Sequence, residues 1–399
     1  MFHFVLVCLI ACTTSVFCSE LEIFAKFSSL NYTWDKNHTY SDYLVNKQYI
    51  VENCLLAGIN VGRNGDIYVT VPRWKNGVPG TLNKLESTDS GEYLLNPFPS
   101  WDMQREGVDG DLQNVQSMTI DKKNRMWVID VGREYFYTKT KKTVNAAAGV
   151  WLIDLNLDIP VVIDKYYFPK DVVSFDNSFL NDVVVDDTLD IAYFTDAWDD
   201  GAIIVFDLAS RSSKRFSGVS TANDKSYRMV IDGHKYGNKI FTTPSDGIAI
   251  TEDYSALFFC QVQGTTLYRV PTSFLRESSG DDMSAFNTAV EVLGRKEPSD
   301  GIKYLDGTLF WGALTESTLY SMQISATSLP DMNLTASQMF PPNTETMQWL
   351  DTFAIDLSVS SEVPNRLYFV SNKLNLFTTG KMDFDDKDAG NMHIMRVTI

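Results

Sequence analysis

Polar residues recur at one kind of place in this chain, the opening of an apolar strand. Asp246 and Asp300 each stand in Ser-Asp-Gly-Ile and Asp351 in Leu-Asp-Thr-Phe, while Gln116 and Asn181-Asp182 open Val-Gln-Ser-Met and Leu-Asn-Asp-Val. A second set closes the strands that follow: Pro72-Arg73-Trp74, Asp130, Arg133, Asp196, Trp198, Gln261 and Ser371-Asn372. In a radial fold the starts of first strands and the ends of second strands converge on one rim. Carboxylates gathered there pair with an ammonium, and tryptophan rings cover its apolar part. The candidate ligand-binding residues are therefore Arg73, Trp74, Gln116, Asp130, Arg133, Asn181, Asp182, Asp196, Trp198, Asp246, Asp300, Asp351 and Asn372. Asp182, Asp246, Asp300 and Asp351 are the candidates for acid–base catalysis if one is desolvated. A single Asp before Gly or Thr is more often a turn cap on nearby backbone N–H groups. The functional reading rests on the set.

The elements that must position these residues are repeats. Six stretches share one pattern of apolar strand, tight turn and aromatic-rich returning strand: LLAGINVGRNGDIYVTV, VQSMTIDKKNRMWVIDV, NDVVVDDTLDIAYFTDA, SDGIAITEDYSALFFCQV, SDGIKYLDGTLFWGAL and LDTFAIDLSVSSEVPNRLYFVSN. Their second-strand aromatics Tyr68, Trp127, Tyr193, Phe258, Phe310 and Tyr368 are spaced by 59, 66, 65, 52 and 58 residues, by subtraction. Each stretch is half of a four-stranded blade, and recurrence at this spacing predicts a six-bladed, all-β propeller in one domain. Residues 53–399 form it, and the aromatic segment 19–52 wraps it. Blade 1 is expected from Cys54 to Pro99, blade 2 from Gln113 to Pro169 and blade 3 from Phe179 to Phe216. Blade 4 is expected from Tyr227 to Pro271, blade 5 from Val290 to Ile324 and blade 6 from Ser337 to the last residue. Residues 138–145, Ser273–Ser284 and Leu376–Asn391 read as loops. The acidic run Asp383, Asp385, Asp386, Asp388 is read as solvated, because Ile394 occupies the place where a calcium loop needs its bidentate Glu.

Residues 1–18 have the apolar run of a secretory signal, so the expected location is extracellular. Asn31, Asn37 and Asn333 head glycosylation sequons. Cys54 and Cys260 remain after the leader, and an oxidising compartment leaves them as one disulfide or as two buried free thiols. A net charge of −17 disfavours nucleic acid, and no apolar run suits membrane insertion. The expected partner is a small molecule. No G-x-S-x-G elbow, H-E-x-x-H or phosphate loop occurs. His38, His234 and His393 are scattered outside the repeats, so neither a metal nor a cofactor is expected.

The stretch from Gly58-Ile-Asn-Val through Asp66-Ile-Tyr-Val-Thr-Val-Pro-Arg-Trp-Lys-Asn-Gly-Val-Pro-Gly-Thr-Leu resembles the first-blade hallmark of the yellow/major royal jelly protein family. Gln116-Ser-Met-Thr-Ile-Asp with Arg125-Met-Trp-Val-Ile-Asp-Val-Gly-Arg resembles its second-blade hallmark. Ala197-Trp, Leu267-Tyr-Arg-Val-Pro-Thr, Leu367-Tyr-Phe-Val-Ser-Asn-Lys-Leu and Met392-His-Ile-Met-Arg follow in the family's order. The resemblance implies a secreted six-bladed propeller whose relatives serve pigmentation, dopachrome conversion, nutrition or biogenic-amine binding. In the amine binders the last blade gives an Asn and an aromatic two residues on; here Asn372 matches, Leu374 departs, and Phe377 is the substitute aromatic. The expected function is binding of a small aromatic, amine or catechol-type ligand at the channel mouth, linked to melanin chemistry. The alternatives are a dopachrome tautomerase, a calcium-dependent lactonase using Asn181, Asp246 and Asp300, and a ligand-free structural or nutritive protein. The lactonase reading lacks a Glu at the start of blade 1, where the chain reads Leu55-Leu-Ala-Gly.

Overall fold

The alternation of apolar residues read from the repeats becomes six four-stranded antiparallel sheets arranged as a six-bladed β-propeller in the computed structural model. The structure describes residues 20–136, 143–144, 146–224, 227–236, 243–328, 335–356, 358, 363–386, 388 and 390–399. The segment 1–18 read as a leader, most of the 138–145 loop and the sequon at Asn333 lie outside them, whereas Asn31 and Asn37 are exposed.

Blade 1 is built from Ile59–Val61, Ile67–Thr70, Leu82–Ser87 and Tyr93–Pro97, and blade 2 from Val115–Ile120, Arg125–Asp130, Gly149–Asp154 and Val161–Tyr167. Blade 3 takes Leu180–Asp186, Ile191–Asp196, Ala202–Asp207 and Ser212–Phe216. In every blade the second strand is buried on both faces, which is why it reads as an unbroken apolar and aromatic run. Fully buried Trp127, Trp151, Trp311 and Trp349, with Tyr193, Phe194, Phe258 and Phe259, belong to the clusters that fill the wedges between blades.

Three boundaries differ from the sequence reading. Blade 4 is Ser245–Ile250, Ala256–Gln261, Thr266–Pro271 and Glu291–Arg295, so its outer strand follows the segment read as a loop. That segment contains helices Thr272–Glu277 and Met283–Ala289, the second capped by Asp282, which accepts from Ala285 N. Glu291–Arg295 thus belongs to blade 4 and not to blade 5. Likewise Ser337–Gln338 is the outer strand of blade 5, beside Ile302–Leu305, Thr308–Ala313 and Thr318–Gln323. The stretch Met229–Ile231 with His234–Tyr236 is a separate hairpin and not the opening of blade 4.

Blade 6 takes Trp349–Ile355, Arg366–Asn372 and Met392–Thr398 from the end of the chain, and its outer strand from the beginning, Leu21–Phe27. The following residues cross to blade 1, where Leu95 N donates to Asn31 O and Thr33 N to Leu95 O, both at 2.9 Å. Trp34, His38, Tyr43 and Trp101 then stack in one cluster over the blade 1 edge.

The disulfide expectation is corrected: Cys54 and Cys260 are two free, buried thiols. Cys54 opens blade 1 with its Sγ 3.6 Å from Ile50 O, and Cys260 lies in blade 4 with its Sγ 3.5 Å from Ser299 Oγ. Blades 1 and 4 face each other across a six-membered ring, too far for an S–S bond.

Candidate ligand site at the channel mouth

The polar strand openings sit on irregularities of the pleat. Register breaks fall between Val115 and Met118, Leu180 and Val183, Ser245 and Ile248, and Leu350 and Phe353. The residues inside the breaks are Gln116-Ser117, Asn181-Asp182, Asp246-Gly247 and Asp351-Thr352. Asp300-Gly301 precedes the blade 5 strand at the same place, and Ala57-Gly58 does so in blade 1. A bulge re-aims the side chain it carries, and in blades 2, 3, 4 and 6 it turns a polar group toward the axis.

These groups link into a belt that runs around the channel. Trp74 Nε1 donates to Gln116 Oε1 at 2.9 Å, Gln116 Nε2 to Asn181 Oδ1 at 2.7 Å, and Asn181 Nδ2 to Asp246 Oδ1. The carboxyl groups of Asp246 and Asp300 hydrogen-bond each other. Trp349 Nε1 donates to Asp300 Oδ2 at 2.6 Å, and Asn372 Nδ2 donates to Asp351 Oδ2 at 2.9 Å and to Leu56 O of blade 1 at 2.8 Å. Blade 1 has no polar side chain at its turn of the belt and contributes a backbone carbonyl instead.

Neighbouring blades hold this belt from behind. Thr70 Oγ1 donates to Gln116 O at 2.9 Å, Thr195 Oγ1 to Asp246 O at 2.6 Å, and Gly301 N to Asp351 O at 2.8 Å. The approach leaves no room for a side chain at Gly247, where a Cβ would lie 2.4 Å from Asp300 O. Gly247→Ala is expected to cost about 1–3 kcal/mol through this backbone overlap, read as a lower midpoint in urea unfolding.

Three carboxyl groups on adjacent blades line one buried space. Asp246, Asp300 and Asp351 are all held well above the usual carboxylate range, first by burial and then by one another's charge. Like charges this close disfavour one another's ionisation. The cavity they line is about 30 Å³, and Trp74, Phe179, Trp349 and Leu374 wall it. That space admits about one or two waters or an ammonium head, and is far below the ~300 Å³ of a pocket that encloses a whole small molecule.

Of the residues picked from sequence, Trp74, Gln116, Asn181, Asp246, Asp300 and Asp351 line this cavity, and Asn372 is bonded to it. The others act elsewhere. Arg73 is buried and donates to the carbonyls of Val78, Pro79, Gln104, Leu112 and Gln113, bracing the loops behind the mouth. Asp130 caps Gln113 N and Asn114 N at 2.8 Å, and Asp196 caps Phe179 N at 2.7 Å, so both set the entry of a strand. Arg133 donates to Asp176 O and Ser178 O and stacks on Phe136 and Trp198. Asp182 accepts from Ser117 Oγ and Val183 N, and burial pushes it up to about 6. Sequence reading missed Phe179 and Trp349. Each stands two residues before a belt residue, and strand periodicity puts positions i and i−2 on one face.

A six-bladed propeller with a hydrogen-bonded carboxyl belt at its channel mouth is the class that fold and site define. Within that class the chain belongs to the major royal jelly protein family, which matches residues 113–398. It is 24% identical over 401 aligned positions to major royal jelly protein 1 of Apis mellifera, covering 95% of this chain and 88% of that protein. It is 26% identical over 290 positions to protein yellow of Drosophila erecta (69% and 52% covered), so the match spans about half of that relative. A dopaminechrome tautomerase of Drosophila melanogaster is 26% identical over 204 positions, covering 49% of this chain and 43% of that protein. Among solved structures, a luciferin-regenerating enzyme aligns with TM-score 0.48 and 13% identity over 86% of this chain and 91% of that one. Among the described residues no helix is long and apolar enough to cross a membrane.

Proposed function

We propose that this chain is a secreted family member whose channel mouth binds a small cationic aromatic ligand, an amine or a catechol derivative, in the service of pigment chemistry. The observation that carries this reading is the trio Asp246, Asp300 and Asp351, buried together beside Trp74 and Trp349. An ammonium there compensates charge that the fold otherwise suppresses by protonation. The head group fits the cavity as it stands, and the ring enters by displacing Leu374 and Phe377 from Trp74. The apolar leader at 1–18 supports secretion.

The test is calorimetric titration with serotonin, dopamine and octopamine in two buffers of different ionisation enthalpy. Binding with net proton release is the expected result, because the arriving cation lowers the carboxyl pKa values. No heat with any amine at high micromolar concentration would overturn the reading.

The contact between Asp246 and Asp300 favours a second reading, tautomerisation of a dopaminechrome-type iminoquinone. A carboxylate there removes a carbon-bound proton while its protonated neighbour delivers one to the quinone oxygen, leaving the pair as it began. Loss of dopaminechrome absorbance no faster than in buffer would sink it. The calcium-dependent lactonase reading gains nothing: Asn181, Asp246 and Asp300 bond to one another. Among the described residues no three His, Cys, Asp or Glu side chains are grouped to hold a metal.

A further inference from the structure

The other end of the channel holds a larger and chemically different cavity. About 200 Å³ lies between the far ends of the inner strands, bounded by residues of all six blades. Ile120, Val184, Ile250, Tyr304, Leu305 and Ile355 give it largely apolar walls. Into it projects Lys303, from the blade 5 inner strand three residues beyond Asp300. Among the described residues no hydrogen bond holds its ammonium, and Asp182 is the charge acting on it across the channel.

The other ionised groups around this cavity are engaged. Asp121 accepts from Trp127 Nε1 at 2.9 Å and Arg125 Nε at 2.8 Å, Asp187 accepts from Tyr254 OH at 2.6 Å, and Glu252 accepts from Asp306 N. Lys122 Nζ lies over the Tyr254 ring at 4.6 Å. A part-buried amine flanked largely by apolar walls is less well solvated as a cation than in bulk water, which favours its neutral, nucleophilic form. The shifts agree in direction: burial lowers Lys303, partly opposed by Asp182, and raises Asp182 to about 6.

We infer that this mouth is a second site, at which Lys303 forms an imine with an apolar aldehyde. The ammonium first releases a proton to solvent at the open end of the cavity. The neutral amine adds to the carbonyl carbon, giving a carbinolamine. Its hydroxyl then takes up a proton from solvent and leaves as water. The product is a protonated imine that keeps its positive charge facing the Asp182 carboxylate. Lysine ammonium and aldehyde become iminium and water, and no oxidant or reductant is needed. An aldehyde of six to ten carbons suits the volume and walls. The inference does not rest on the amine reading of the opposite mouth.

The full chain is incubated with hexanal and sodium cyanoborohydride at neutral pH, digested, and its lysine peptides compared by mass. Lys303 is expected to carry the reduced hexyl group at about tenfold the level of any exposed lysine. Lys303→Arg should remove that label. Leu305→Trp, which fills the cavity but keeps the amine, should reduce it strongly, with thermal melting confirming that both variants fold. Labelling of Lys303 no greater than that of surface lysines, or unchanged by Leu305→Trp, overturns the inference. Serotonin titration of Lys303→Arg separates this outcome from any failure at the belt.

Discussion

Replacing Asp300 by Asn is expected to stabilise the fold at neutral pH by about 1–3 kcal/mol while weakening amine binding by about a hundredfold or more. The amide keeps the local bonding. Its oxygen still accepts from Trp349 Nε1, and its NH₂ donates to Asp246 where a shared proton now lies. What disappears is one of three buried carboxyl groups that oppose one another's ionisation. The folded-state pKa of Asp246, Asp300 and Asp351 lies above the unfolded value of about 4. The folded protein therefore binds more protons than the unfolded chain above that pH, and stability falls as pH rises through the window. Asp300→Asn should flatten this slope, so its gain over the parent is larger at pH 8 than at pH 5. Urea unfolding at both pH values and calorimetry with serotonin check the two halves. A variant less stable than the parent at pH 8 would show that the three carboxyls are not the burden their burial implies.

The same residues show why the site was partly legible in the sequence. The belt residues occupy one place in each repeat, so counting repeats was enough to group Gln116, Asn181, Asp246, Asp300 and Asp351. Residues at strand exits were harder, because a polar side chain there faces either the channel or the backbone behind it. Asp130 and Asp196 went to backbone N–H groups, and sequence carries no mark that separates the two outcomes. The closing link of the belt was invisible for a different reason: it is the carbonyl of Leu56, and every residue has one. The outer strands of blades 4 and 5 were misplaced because the chain leaves each sheet before returning. Glu291–Arg295 comes after two short helices, and Ser337–Gln338 is only two residues long. The inner strands had no such trouble, since burial enforces their alternation. The cysteines illustrate a limit of composition, which allows a pairing that the ring geometry forbids.

Deleting residues 20–27 is expected to be the most damaging change to the fold, costing about 5 kcal/mol or more from lost strand pairing and Phe27 burial. A propeller must join its last blade to its first, and here the join is non-covalent. Leu21–Phe27 pairs with Met392–Thr398 over six residue pairs, burying Ala25 and Phe27. The chain then passes directly to the outer strand of blade 1, where Phe24 also meets Tyr93 at 5.3 Å. One segment thus staples both sides of the seam. Behind it, Leu56 N donates to Met392 Sδ and Asn372 Nδ2 to Leu56 O, so the seam also carries the last link of the carboxyl belt. Loosening the outer edge should therefore reach the channel. The truncated chain should show a lower, broader melting transition and, below that transition, weaker serotonin binding than the parent. Phe27→Ala, a milder change at the same place, should move both quantities in the same direction and by less. Full amine affinity in a truncated protein with a lowered melting point would mean that blades 1 and 6 stay registered without the staple, and that the belt closes through Asn372 alone.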